Sequence, residues 1–161
     1  MYSVKVVTHP KVSLVSEFEK ILEINSSSAI FSLPLNKETL RVVPISTEYI
    51  SHCPVYSRHY PDIVLEVRGL SNEHPLFHVE IQTGYNSMMD VRMVKYGYLI
   101  GESRSEIDSD DIRVITIPHQ VVIYLEEHNR INDTLQVKIV LPDGSDLLYS
   151  VPVLKLYQYP V

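Results

Sequence analysis

Two consecutive runs of alternating residues constrain the fold of this chain more than any other feature of its sequence. They extend from Asp62 to Arg68 and from Leu76 to Gln82, and apolar residues occupy every second position in each. Successive side chains of a strand point to opposite faces of a sheet, so the alternation predicts two strands, each with one apolar and one largely polar face. The segment 69–75 contains Gly, Ser, Asn and Pro and is short enough to make the strands a hairpin. Paired in this way, they would place four polar residues on one surface: Asp62, Glu66, Glu80 and Gln82.

Apolar spacing elsewhere predicts helices and further strands around this pair. One helix is expected from Ser13 to Asn25, and a second should begin at a Ser87–Asp90 cap and end at Gly101. The second helix should bury one stripe of side chains, namely Met89, Met93, Tyr96 and Ile100. The further strands are expected at Leu40–Ile45, at Ile112–Ile117, at Gln120–Leu125 in a central position, and in a closing hairpin of Leu135–Leu141 and Leu147–Val153 around the turn Pro142-Asp143-Gly144.

Length and composition are typical of one soluble α/β domain. The 161 residues, 45% of them hydrophobic, are enough for a single core, so residues 1–161 are predicted to form one domain. We find no run of about 18 apolar residues and no signal-peptide pattern at the start, which predicts a cytoplasmic protein without membrane contact. Cys53 is the single cysteine and has no partner for an internal disulfide or a Cys-x-x-Cys motif.

The acidic residues on the paired strands have the chemistry of a divalent-cation site. Mg²⁺ prefers one or two carboxylates, with waters and substrate oxygens completing its coordination, and it can activate water for phosphodiester hydrolysis. Asp62 and Glu80 could supply two carboxylates, and the Ile81 carbonyl could add a third oxygen. Gln82 follows on the same face, where its amide could orient water or contact a phosphate. The net charge of -6 argues against a broadly basic nucleic-acid surface but does not exclude a nuclease, since a bound cation changes the local charge.

Four segments and the closing hairpin carry a similarity to a known family. The matching runs are Pro61-Asp62-Ile63-Val64-Leu65-Glu66-Val67, His78-Val79-Glu80-Ile81-Gln82, Met89-Asp90-Val91-Arg92-Met93-Val94-Lys95-Tyr96-Gly97-Tyr98, Pro118-His119-Gln120-Val121-Val122-Ile123-Tyr124-Leu125, Leu141-Pro142-Asp143-Gly144 and Val151-Pro152-Val153-Leu154-Lys155. Together these runs resemble the Rpn family of recombination-promoting nucleases and putative transposases, within the PD-(D/E)XK nuclease superfamily. The similarity covers roughly residues 60–156.

The resemblance implies a restriction-endonuclease-like fold, with a mixed central β-sheet flanked by helices, and cleavage of double-stranded DNA that depends on Mg²⁺ or Mn²⁺. Asp62 and Glu80 match the two metal-binding acids, and Gln82 occupies the position of the usual Lys. Loss of that Lys removes a cation that would stabilise the developing phosphorane charge. Arg92 or Lys95 on the second helix could compensate by contacting phosphate.

The family also draws an acid from its first helix, for which this chain offers three glutamates. Glu17 lies nearest the apolar stripe of the predicted helix, whereas Glu19 and Glu23 point outward, so Glu17 is favoured as the additional catalytic acid. Glu66 is left as an auxiliary ligand. The His78-Val79-Glu80 run also has the His-x-Glu pattern of zinc deaminases, but their site needs two further cysteines, so that reading is rejected.

Two hypotheses from other classes stay open beside the nuclease. The domain could be an inactive nuclease-fold module that binds DNA or protein, or it could be a structural oligomerisation domain in which the side chains of Asp62 and Glu80 point apart. The sequence leaves open whether the chain forms a homodimer.

Overall fold

The computed structural model describes residues 41–45, 49–50, 58–59, 61–68 and 75–159. The chain divides into two compact units, Met1–Leu35 and Asn36–Val161, and the described residues all belong to the second. The helix predicted from Ser13 to Asn25, with Glu17, Glu19 and Glu23, lies outside the described residues, and so does Cys53. The single domain over residues 1–161 stays a prediction.

A six-stranded mixed sheet dominates the described part of the second unit, which confirms the α/β class. The elements are β1 (Arg41–Pro44), β2 (Tyr49–Ile50), β3 (Arg58–His59), β4 (Ile63–Arg68), β5 (Leu76–Gln82), α1 (Met89–Glu102), β6 (Glu106–Ile107), β7 (Arg113–Val114), β8 (His119–Tyr124), β9 (Thr134–Val140), β10 (Asp146–Lys155) and a 3-10 helix at Leu156–Gln158. The six-stranded sheet has the order β1-β4-β5-β8-β10-β9, in which β5–β8 and β8–β10 are parallel pairs and the others antiparallel. Two small sheets pair β2 with β3 and β6 with β7.

The two alternating runs form the predicted antiparallel pair, β4 and β5. Ile63 lies opposite Val79, and Glu66 lies opposite Leu76, so directly paired residues share a face of the sheet. The polar face differs from the expectation in one respect, because its central members are buried beneath α1 instead of lying at the surface. Glu80 is 1% exposed.

The later strands agree with the sequence except at 112–117. Strand β8 is central, with β5 and β10 as its neighbours, and the predicted closing hairpin is formed by β9 and β10. The expected strand Ile112–Ile117 is wrong in length, since only Arg113–Val114 pairs, with Glu106–Ile107, and all four of these residues are exposed. Pro118 follows and has no amide hydrogen to donate to a neighbouring strand.

Helix α1 connects β5 to the parallel strand β8 and packs on one face of the sheet. Its predicted apolar stripe is confirmed as buried: Met89, Met93, Tyr96 and Ile100. The expected Ser87 cap is wrong, because the helix begins at Met89, its N-cap is Met88, and the N-cap makes no side-chain hydrogen bond. Instead, the Asn86 side chain accepts a bond of 3.0 Å from the Met88 amide.

The carboxyl end of α1 also differs from the prediction that Gly101 stops the helix. The helix continues through Gly101 to Glu102. A side chain at position 101 would place its Cβ 2.7 Å from the Thr116 carbonyl oxygen, so this glycine permits close packing of α1 on the segment before β8. In the described part of the chain, no helix is long and apolar enough to span a membrane.

Candidate functional site

The side chains of Asp62 and Glu80 each form a hydrogen bond with the backbone of the other's strand, at the point where β4 begins. The Asp62 amide donates to Glu80 Oε1 at 3.0 Å, and the Ile81 amide donates to Asp62 Oδ2 at 2.9 Å. Each carboxylate therefore accepts a hydrogen bond from the backbone of the other strand. This reciprocal arrangement places the two predicted metal-binding acids side by side, whereas the oligomerisation hypothesis expects them to point apart.

Both carboxylate oxygens of Glu80 have partners. Besides the Asp62 amide, its Oε1 atom contacts His78 Nε2 at 2.9 Å, and its Oε2 atom accepts from Arg92 at 2.7 Å. Burial raises the pKa of Glu80, but the hydrogen bonds from His78, the Asp62 amide and Arg92 outweigh it and leave the pKa below its usual value. Glu80 is thus a buried anion held by a cation from α1.

Gln82 and the Ile81 carbonyl, both predicted to belong to the site, contact each other. The Gln82 side-chain amide donates to the Ile81 carbonyl oxygen at 3.0 Å, and both residues are partly buried. A carbonyl oxygen has two lone pairs, so this bond leaves capacity for a second partner. The Gln82 amide is therefore held at the carbonyl group of the residue that follows Glu80.

The two predicted DNA-contacting cations on α1 have different surroundings. Arg92 pairs with Glu80, and its guanidinium carbon lies 5.8 Å from the centre of the Tyr96 ring. Its side chain is 33% exposed, and among the described residues its Nε is a buried donor without a hydrogen-bond partner. Lys95 is exposed. Tyr96 is buried as expected, and both burial and Glu80 raise its pKa.

Glu66 does not join the pair of acids. It is buried and accepts a bond of 2.9 Å from Arg104, which follows the end of α1. Glu66 lies four positions along the chain from Asp62, which corresponds to about 13 Å of extended strand. The suggested auxiliary ligand is therefore wrong in position, because alternation identifies the face of a strand but not the place along it.

Sequence reasoning missed a second set of polar residues behind Glu80. His78 and Gln120 are fully or almost fully buried, and Gln120 contacts His78 Nδ1 at 2.7 Å and the Met93 carbonyl at 2.9 Å. The Tyr149 hydroxyl donates to Gln120 Oε1. Gln120 could have been noticed as a polar residue in an otherwise apolar central strand, but its partners depend on the β5–β8 register, which places it opposite His78.

The donor chemistry of the site fits a hard divalent cation. Asp62, Glu80 and the Ile81 carbonyl offer oxygen atoms, which Mg²⁺ and Mn²⁺ prefer. Within the described ranges, no group of three or more His, Cys, Asp or Glu side chains could hold a metal ion. The candidate protein ligands are therefore two carboxylates and one carbonyl. Mg²⁺ can bind with this number of protein ligands when water and phosphate oxygens complete its coordination shell.

Comparisons with known proteins add no relative to this description. No protein-family model, no curated protein and no solved structure matches the chain. The geometry of the site is thus the basis for any functional assignment.

Proposed function

We propose that this chain is a metal-dependent DNA endonuclease of the Rpn type, within the PD-(D/E)XK superfamily, with a role in DNA recombination or transposition. The observation that carries the proposal is the reciprocal bonding of Asp62 and Glu80, which joins the two acids at the start of one strand and near the end of its neighbour. The same two residues match the metal-binding acids of the family that the sequence resembles, and they lie on a mixed sheet, as that resemblance implies.

Asp62, Glu80 and the Ile81 carbonyl would hold Mg²⁺ or Mn²⁺. When bound, such a cation polarises a phosphoryl oxygen and lowers the pKa of water. The neighbouring residues of the chain would position the two carboxylates for this chemistry. Asp62 is held by the Ile81 amide, and Glu80 is held by His78 and the Asp62 amide, so neither carboxylate has to reorganise when substrate binds.

Arg92 is the residue best placed to replace the missing Lys. Its guanidinium pairs with Glu80, its side chain is partly exposed, and its buried Nε donor has no partner among the described residues. An unsatisfied buried donor costs about 1 to 3 kcal/mol, so a phosphate that drew this side chain outward would relieve that cost. Gln82 would contribute an amide donor, and Lys95 an exposed positive charge on the same helix.

Nicking of supercoiled plasmid DNA tests the proposal. The unmodified chain should nick the plasmid in Mg²⁺ or Mn²⁺ and not in EDTA, and Asp62→Asn should abolish this activity while keeping the shape of the side chain. Asp146→Asn is the matched control, because Asp146 is an exposed residue of the distant closing hairpin that pairs with Lys138. Equal nicking by the two variants would show that the assigned site is wrong.

A second candidate is an inactive module that keeps the nuclease fold for DNA or protein binding. The engagement of both Glu80 oxygens by protein donors favours it, since Arg92 already neutralises the acid. This candidate predicts that calorimetry detects no Mn²⁺ binding by the folded chain, whereas the nuclease predicts a saturable site that Asp62→Asn removes.

A further inference from the structure

A buried chain of hydrogen bonds leads from Tyr149 to Glu80 beneath α1. Tyr149 on β10 donates to Gln120 on β8, which contacts His78 on β5, and His78 contacts Glu80. Three strands of the sheet supply these four side chains. Polar side chains in such a position require satisfied partners, so their directions of donation can be worked out from the network.

The Met93 carbonyl fixes these directions, because a carbonyl oxygen can only accept. The atom of Gln120 that contacts it must therefore be the amide nitrogen, and Gln120 Oε1 must be the acceptor of the Tyr149 hydroxyl. The other amide hydrogen of Gln120 donates to His78 Nδ1. His78 Nδ1 then carries no hydrogen, and the ring proton lies on Nε2, where it donates to Glu80 Oε1.

Gly97 makes room for this chain where α1 crosses it. A side chain at position 97 would place its Cβ 2.7 Å from the Tyr149 hydroxyl and 3.0 Å from Gln120 Oε1. Such contacts are too close for any residue other than glycine unless the hydrogen-bonded groups move. The close approach of the helix backbone therefore shields the Tyr149–Gln120 bond from water.

We propose that His78, held as the Nε2–H tautomer by Gln120 and Tyr149, is a positioning residue for Glu80. This role of His78 rests on the proposed function, in which Glu80 is a metal ligand. By donating to Oε1, His78 fixes the plane of the carboxylate and leaves Oε2 as the oxygen on the Arg92 side. Groups that orient a ligand in this way contribute strongly to metal affinity, and their loss weakens binding by about 10- to 100-fold.

Mn²⁺ binding measured by calorimetry tests the role of His78. His78→Phe removes the donor and should weaken binding by about 10- to 100-fold. His78→Gln should restore affinity to within about threefold of the unmodified chain, since the Gln amide nitrogen can replace the imidazole Nε2–H as donor. His119→Phe is the matched control, because His119 is exposed and stacks on Phe77 with 4.9 Å between ring centres. It should bind Mn²⁺ like the unmodified chain.

If His78→Phe does not fold, Tyr149→Phe provides the same test from the other end of the hydrogen-bonded chain. It should weaken Mn²⁺ binding by about threefold, as expected for the loss of one hydrogen bond. Equal binding by the unmodified chain and the folded variant, or failure of His78→Gln to bind better than His78→Phe, would overturn the positioning role.

Nitrogen NMR of the His78 ring separates this proposal from the proposed function. The spectrum should show a protonated Nε2 and an unprotonated Nδ1, and the opposite tautomer would overturn the positioning role whether or not metal binds. Absence of Mn²⁺ binding by the unmodified chain would contradict the metal site itself, and the ring spectrum would then decide whether His78 donates to Glu80.

Discussion

Gly97 illustrates how a single residue without a side chain controls the packing of polar groups. Alanine favours helices by about 1 kcal/mol over glycine, but an added methyl group here would overpack the Tyr149–Gln120 contact at a cost of about 1 to 3 kcal/mol. Because the overpacking cost exceeds the gain in helix propensity, we expect Gly97→Ala to lower the free energy of unfolding by about 1 kcal/mol in urea titrations.

Gly84→Ala is the matched control for that measurement. No atom lies within 4 Å of the Cβ that it would add, so its unfolding free energy should change by about 0.5 kcal/mol or less. A Gly97→Ala variant as stable as the unmodified chain would show that α1 does not depend on this close approach.

Tyr149 gives the hydrogen-bonded chain a measurable pH dependence. Burial raises the pKa of Tyr149 to about 12 from the usual value of 10.0. The unfolded chain therefore releases this proton at lower pH than the folded one, so the stability contribution of Tyr149 is present below pH 10.0 and is lost as the pH rises toward about 12.

Urea unfolding across this pH window should separate the unmodified chain from Tyr149→Phe. The unmodified chain should lose more stability between pH 10.0 and about 12 than the variant, which has no hydroxyl to titrate. Parallel stability curves for the two proteins would contradict the burial of the hydroxyl.

Helix α1 carries the cations that should determine the electrostatic part of DNA binding. Replacing Arg92 with Gln keeps a donor for Glu80 but removes one positive charge. We expect weaker binding to duplex DNA and a salt dependence that is shallower by about one unit of slope, because one fewer counterion is released.

Fluorescence anisotropy over a salt series in Ca²⁺ measures this slope, and Lys95→Gln should lower it similarly. Arg113→Gln is the control, as Arg113 is exposed on β7 and bonds to Ser105. If Arg113→Gln and Arg92→Gln changed the slope equally, α1 would not be the DNA-contacting helix.

The strands could be predicted from the sequence, whereas the surroundings of the site could not. A period of two is a local property of residues 62–68 and 76–82, so it identified β4 and β5 and their shared face. Glu80 is buried because α1 folds back across β5. Arg104 binds Glu66 because the end of α1 lies near β4. Both are consequences of contacts between elements, which no single segment encodes.

The cap and the end of α1 were misplaced for a similar reason. Capping patterns are judged from residue types near a helix end, and Ser87 and Gly101 have the right types. Packing instead determines where the helix begins and ends. Met89 begins the buried stripe, and Gly101 lies within the helix, where it packs against the carbonyl of Thr116.

Under the proposed function, the acidic character of the whole chain makes a divalent cation important for DNA binding as well as for cleavage. With a net charge of -6, the protein should repel DNA at long range. We expect duplex binding to be weak in EDTA and to strengthen by about tenfold or more when Ca²⁺, which shares the oxygen preference of Mg²⁺, fills the site.

This comparison is made with a short duplex at fixed ionic strength, so that screening by added salt is constant. Asp62→Asn should lose the Ca²⁺ effect. DNA affinity that is the same in EDTA and in Ca²⁺ would place the binding surface away from the carboxylates.

Adjacent residues of α1 contact two members of the buried network. Arg92 donates to Glu80, and the carbonyl of Met93 accepts from Gln120. The helix therefore cannot lift from the sheet to release one contact while keeping the other, and its opening would expose a carboxylate, an imidazole and an amide together. Partial opening is correspondingly costly, so the backbone amides of α1 should exchange with solvent only when the whole sheet unfolds.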